Sequence, residues 1–268
     1  MTSLVVASLV TDLDAERASL LGVLDGLTPD QWHLATPAPG WTIHDQVAHL
    51  AYFDTVTRLA VEDPAAFAVF RDGLADLQTA VDAVGPDNRH RDAAAMLAWW
   101  RDEHAALTAA FLAADPAVRV PWFGPPMSLA SKVTARLMET WAHGQDVVDA
   151  VGARREPTDR LRHVARIGVL ALPNSFVARG LEVPTTPVRV SLTAPDGAST
   201  WDWGPAEATD VVSGTALDFC LVVTQRRHLA DTALIVSGRT ARAWMDVAQA
   251  FAGPPGPGRR PGQFASGR

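Results

Sequence analysis

Arg136-Leu-Met-Glu139-Thr-Trp-Ala-His143-Gly-Gln-Asp146 is the stretch whose reading decides the fold. Four residues separate Glu139 from His143, and on an α-helix that spacing brings both side chains to nearly the same face, one turn apart. A carboxylate and an imidazole so placed reach a single divalent cation, as the two histidines of a helical His-Glu-x-x-His do. Arg136 and Asp146, three residues to either side of the pair, share the face and are candidates to orient a ligand from behind. By itself a Glu/His pair at this spacing more often marks a solvated helix face. The assignment therefore turns on a third ligand from elsewhere.

Outward from this stretch the chain reads as long helices. Ser128 is a plausible N-cap for a helix reaching about Val151. The loop 115–127 before it ends Val-Pro-Trp122-Phe123-Gly-Pro-Pro-Met127, a rigid apolar segment suited to walling a pocket. Residues 3–26 carry leucines and valines at helical spacing, and 64–84 and 92–114 repeat the pattern. Within the last of these, His104 sits among charged neighbours and is expected to be exposed. Thr42 followed by Asp45 approximates a capping box for a helix reading Thr-Ile-His-Asp-Gln-Val-Ala-His49. Long helices with short connections give an antiparallel bundle, whose metal sites are built from side chains on facing helices. His49 alone would read as a core-edge histidine. In a bundle it converges with Glu139 and His143, and three protein ligands leave a fourth position for water or substrate.

Composition shifts after Gly152, and Arg154–Asp159 reads as a linker. Thr158 or Asp159 is expected to cap a helix to about Arg179. The alternating runs 187–194 and 199–203 flank a Pro-Asp-Gly turn and predict a hairpin. A helix over 214–227, a short strand at 234–237 and a last helix at 240–250 complete the pattern. The expected organisation is α+β in two domains: a four-helix bundle over 1–153, a smaller α+β domain over 154–252, and a tail over 253–268 that is disordered by its Gly/Pro composition.

The net charge of −7 argues against a general nucleic-acid surface. No apolar run reaches the length of a membrane span. The N-terminus lacks a basic region before an apolar one, so no secretory signal is expected. A single cysteine, Cys220, rules out an internal disulfide and suits a reducing cytoplasm. Lys132 is the only lysine.

Two motifs together, Gly40-Trp-Thr-Ile-His-Asp-Gln-Val-Ala-His49 and Arg136-x-x-Glu139-x-x-x-His143-x-x-Asp146, resemble the mycothiol-dependent maleylpyruvate isomerase family, within the DinB-like (YfiT-like) metal-binding bundles. Similarity is closer still to an actinobacterial subgroup of uncharacterised metal-binding proteins. It runs through Pro121-Trp-Phe-Gly-Pro-Pro-Met127, Glu139–Val147 and Asp218-Phe-Cys-Leu-Val-Val-Thr-Gln-Arg-Arg-His228. The resemblance implies a DinB-like four-helix bundle with zinc, or another divalent metal such as nickel or iron, on His49, Glu139 and His143, and mycothiol as cosubstrate. It also implies a substrate-binding arginine in the C-terminal part, which spacing from Gly214 places at Arg226, with Arg227 beside it. The family's Gly-Arg ending is replaced here by Gln225-Arg226-Arg227.

The expected activity is addition of a metal-activated low-molecular-weight thiol to a small electrophile, as an S-transferase or a cis–trans isomerase. Trp122 and Phe123 would line the substrate's site. Two alternatives stay open: a metal-dependent hydrolase or tailoring enzyme that uses no thiol, and a non-catalytic metal or ligand binder. Glu139 is a ligand in this scheme and not the general base; a base would need a free carboxylate, for which Asp146 and Asp45 are the candidates.

Overall fold

The computed structural model of the chain describes residues 2–264 and divides into two compact units, Met1–Arg155 and Glu156–Arg268. The first unit comprises α1 (Ser3–Leu24), α2 (Ile43–Glu62), α3 (Pro64–Asp72), α4 (Leu77–Asn88), α5 (Ala93–Ala113), the two-residue strands β1 (Arg119–Val120) and β2 (Met127–Ser128), and α6 (Leu129–Val151). Its four long helices form the bundle, α2 packing on α5 and α6, and α1 on α6 and α5. Leu20, Leu24, Ile43, Val47, Leu50, Met96, Trp100 and Val147 form a fully buried cluster between them.

Local chemistry sets where the two site-bearing helices begin. At the start of α2, Asp45 N–H donates to Thr42 Oγ1 at 3.3 Å, and Thr42 N–H donates to Asp45 Oδ2 at 2.8 Å. This reciprocal capping box satisfies amide donors that the first helical turn leaves without partners. Ser128 caps α6 by accepting from Ser131 N–H at 3.2 Å, and Gly152 ends it in the left-handed conformation, φ 65°. The helices therefore start and stop where short side-chain signals dictate.

Two expectations in this unit need correction. The single helix expected over 64–84 is two, α3 and α4. Asp76 starts the second by accepting from Thr79 N–H at 2.7 Å and from its hydroxyl at 2.8 Å, which overrides a continuous apolar pattern. His104 is buried, not exposed, and its Nε2 lies 2.7 Å from Asp14 Oδ1. Its partners are not the charged residues beside it in sequence but Asp14 on α1 and Asp54 on α2, which meet it across the bundle.

The second unit comprises α7 (Leu161–Leu170), α8 (Leu172–Val177), β3 (Val188–Thr193), β4 (Thr200–Trp203), β5 (Asp210–Thr215), α9 (Ala216–Val223), β6 (Ile235–Ser237) and α10 (Arg239–Val247). The sheet order is β4-β3-β5-β6: the expected hairpin is β3–β4, β5 runs parallel to β3, and β6 returns antiparallel. Strand β5 replaces the first residues of the helix expected from Gly214. Its Val-Val-Ser run is too short to signal itself and is specified by pairing with β3. The expected helix after the linker is two, broken at Ala171 before Pro173, and its N-cap is Arg160 with no side-chain cap, not Thr158 or Asp159. Residues 265–268, the end of the expected tail, lie outside the described residues. No described helix is long and apolar enough to cross a membrane.

Candidate metal centre

Helices α2 and α6 pack against each other, and their facing residues bring His49, Glu139 and His143 together. One potential ligand atom from each lies within 4.8 Å of the others. His143 Nε2 is 3.3 Å from Glu139 Oε2, and the rings of His49 and His143 are 4.3 Å apart between centroids. Both histidines are 9% exposed, shielded from bulk water but not sealed, and Glu139 is half-buried.

A chain of hydrogen bonds prepares His143. Thr36 Oγ1 donates to the Trp41 carbonyl at 2.9 Å, so its oxygen is left to accept from Gln46 Nε2 at 2.9 Å. That fixes the amide: Gln46 Oε1, 2.5 Å from His143 Nδ1, must accept, and the histidine must donate. A proton is thereby held on Nδ1, which leaves Nε2, the atom that faces Glu139, as the one available to a cation. A histidine ligand needs this arrangement, with its second nitrogen tied to an acceptor. Two imidazole nitrogens and one carboxylate oxygen suit zinc and its neighbours among divalent cations. The side chains present thus fit a cation.

Trp41 completes the inner wall, its ring stacked on His143 at 5.8 Å and tilted over His49 at 5.2 Å. It is carried by the turn 36–42, which is closed by a backbone bridge between Ala35 and Thr42. Phe53, one turn along α2, lies 4.5 Å from His49. Trp122 and Phe123 extend this wall: they lie 6.3 and 6.5 Å from Phe53, and Trp122 stacks on Phe67 at 5.7 Å.

Each of the other residues singled out in the sequence has its own setting. Arg136 is directed towards α2. It is buried, donating from Nε to Asp54 Oδ1 at 3.0 Å and from Nη2 to the Leu50 carbonyl at 3.1 Å. Asp146 is fully buried on α6. In the second unit, Arg226 Nη1 donates to the Thr224 carbonyl at 2.7 Å, and Arg227 lies over the Phe264 ring at 4.1 Å. Both arginines follow Gln225, whose φ of 60° turns the chain out of α9. Arg179, Arg227, His228 and Arg259, with one carboxylate, Asp246, line a cavity of about 250 Å³ in that unit.

Gln46 and Trp41 were not anticipated. A signal for Gln46 existed: it stands three residues before His49, on the same face of α2. For Trp41 and Thr36 there was none, since their place depends on how the 36–42 turn folds back. We expect Gln46→Leu to leave the fold intact and to weaken metal binding by about 10–100-fold, because the tautomer of His143 is then unconstrained. Competition titration against a chromophoric chelator measures this. An unchanged affinity would remove Gln46 from the centre.

A crystal structure of a mycothiol-dependent maleylpyruvate isomerase superposes with a TM-score of 0.57, covering 83% of this chain and 90% of that one, at 16% identity. A histidine-to-alanine variant of it gives the same TM-score at 15% identity. At these identities the likeness is one of fold. An uncharacterised protein of Mycobacterium tuberculosis H37Rv is 44% identical over 258 residues, 93% of this chain and 97% of its own, and the protein from strain CDC 1551 matches equally. The family described as wyosine base formation matches residues 184–237, the segment from before β3 through β6. The mycothiol maleylpyruvate isomerase N-terminal domain matches residues 13–148, from within α1 almost to the end of α6. That span includes all three candidate ligands and the bundle that brings them together, and the chain belongs to the mycothiol maleylpyruvate isomerase family.

Proposed function

We propose that this protein is an enzyme that holds a divalent cation on His49, Glu139 and His143 and activates a low-molecular-weight thiol, mycothiol, for addition to an electrophilic small molecule. The convergence of two nitrogens and one oxygen within 4.8 Å carries the reading. Three protein ligands leave a position open, whereas a purely structural zinc is normally closed by four. A cation bound there lowers the pKa of the group in its open position and deprotonates a coordinated thiol.

The chain's own residues supply the rest. Gln46 holds the His143 proton at Nδ1. Trp41 and Phe53 exclude water from one side and leave an apolar surface, continued by Trp122 and Phe123, for the carbon skeleton of the electrophile. In the second unit, Arg226 and Arg227 are proposed to pair an anionic group of the substrate through two parallel hydrogen bonds. The products are either an isomerised substrate, by addition and release of the thiol, or a thioether. A reducing cytoplasm suits this chemistry and also suits Cys220, which is buried, its thiol pushed well above its ordinary pKa by burial.

Thermal denaturation of the zinc-loaded protein tests the thiol. Mycothiol at a hundredfold excess over its Kd is expected to raise Tm by about 5–10 °C, and to do nothing for Glu139→Ala. No response in a metal-loaded wild type would leave a metal-dependent hydrolase or tailoring enzyme, for which the apolar wall suits a larger substrate.

A further inference from the structure

Lys132 stands on α6 two turns before Glu139, and it is 1% exposed. Its Nζ lies 3.3 Å from the centroid of the Trp122 ring, which is itself stacked on Phe67. Among the described residues the side chain makes no hydrogen bond and no ion pair. A filler of this volume would be better served by methionine, since a buried amine that meets a ring face and no hydrogen-bond acceptor is costly. Two charges act on it: the Arg136 guanidinium four residues on, and more weakly the Glu139 carboxylate. Burial first, and then Arg136, hold its pKa well below that of an ordinary lysine, against the pull of Glu139. A desolvated amine beside another cation is the setting in which lysine becomes a nucleophile.

We propose that Lys132 is a nucleophilic amine that binds small apolar aldehydes and ketones covalently beneath the Trp122–Phe123 loop. The amine lone pair attacks the carbonyl carbon, forming a C–N bond as the C=O π pair moves to oxygen. The oxygen then leaves as water with the two amine protons, giving a neutral imine with no other reactant. Trp122, Phe123 and Phe53 offer ring faces and edges to an aromatic carbonyl compound. The covering loop has two backbone-paired positions, Arg119 with Ser128 and Val120 with Met127, and is otherwise held by the packing of Trp122 and Phe123 on Phe53 and Phe67, while its tip at Gly124–Pro126 is exposed. Such a cover can lift without unfolding the bundle.

The sequence makes the test simple, because Lys132 and the N-terminal amine are the only primary amines in the chain. The full-length protein is treated with benzaldehyde and sodium cyanoborohydride near neutral pH, and adducts are located by peptide mass mapping. We expect a benzyl adduct at Lys132, formed about tenfold or more faster than on Nα-acetyl-lysine, because an ordinary lysine is less than about one part in a thousand neutral at pH 7. The same adduct is expected after treatment with a chelator, so this site stands or falls separately from the metal centre. Lys132→Met should leave labelling at the N-terminus alone. Wild-type labelling confined to the N-terminus, or labelling of Lys132 no faster than the free amino acid derivative, overturns the proposal whether or not the variant folds.

Discussion

Glu139→Ala is expected to empty the metal centre while leaving the bundle folded. Purified wild-type protein supplied with zinc should carry about one equivalent per chain after exhaustive dialysis, filling a three-ligand open site, and the variant close to none. The two histidines left behind sit 4.3 Å apart between ring centroids, but two neutral nitrogens supply no charge to offset the cation. The affinity loss should therefore exceed the roughly 10–100-fold that an outer partner such as Gln46 controls. Helical circular dichroism should be unchanged, because Glu139 lies in the middle of a 23-residue helix that is anchored by buried residues along its length. His143→Ala should behave the same way. Metal content by mass spectrometry decides it. Zinc retained in full by Glu139→Ala would remove the glutamate from the site, and a wild type that takes up no metal would end the functional reading built on it.

The second large effect lies behind the site. Asp54 is 2% exposed and accepts from Arg136 Nε at 3.0 Å and from Trp100 Nε1 at 3.1 Å, with His104 Nδ1 3.6 Å away. Burial alone would raise its pKa, but Arg136 and His104 together hold it below the ordinary carboxylate range. Asp54→Ala leaves the Arg136 guanidinium buried without its counter-charge, and is expected to cost about 3–5 kcal/mol. For a chain of this length each kcal/mol corresponds to a fall in Tm of about 2–4 °C. The sign of the pH dependence follows from the lowered value. The folded state releases the Asp54 proton more readily than the unfolded chain does, so the pair stabilises fully above the unfolded carboxyl pKa, about 3.9, and less as pH falls through the lower folded value. Denaturant titrations between neutral and acid pH should show a larger loss in wild type than in Asp54→Ala, the remainder coming from other carboxyls held low, such as Asp196 and Asp202. A destabilisation under about 1 kcal/mol, the worth of an exposed pair, would mean that Arg136 reaches water once its partner is gone.

These two expectations rest on residues of different legibility. The Glu139/His143 pair and the start of α2 at Thr42 could be read directly, because a four-residue spacing and a capping box are local and the backbone enforces them. The bundle followed from helical periodicity and short connections, and with it the chance that His49 would face α6. The roles of Arg136 and His104 could not be read. Arg136 shares a face with the ligands in sequence, but its partner, Asp54, is 82 positions away. His104 is buried through Asp14, 90 positions away. A charged side chain is buried or exposed according to what meets it, and that is a property of the packed state.

The same division runs through the rest of the chain. Sequence alone determined the helical bundle, the α+β character of the C-terminal part and the β3–β4 hairpin, because each is encoded in side chains a few residues apart. Tertiary structure decided the break between α3 and α4, the strand β5, the Thr36–Gln46–His143 chain of hydrogen bonds and the seating of Lys132 against Trp122. Each of these joins groups that periodicity does not relate. Their free energy arises only once distant segments exclude water together, leaving a polar atom no partner except the one that packing brings.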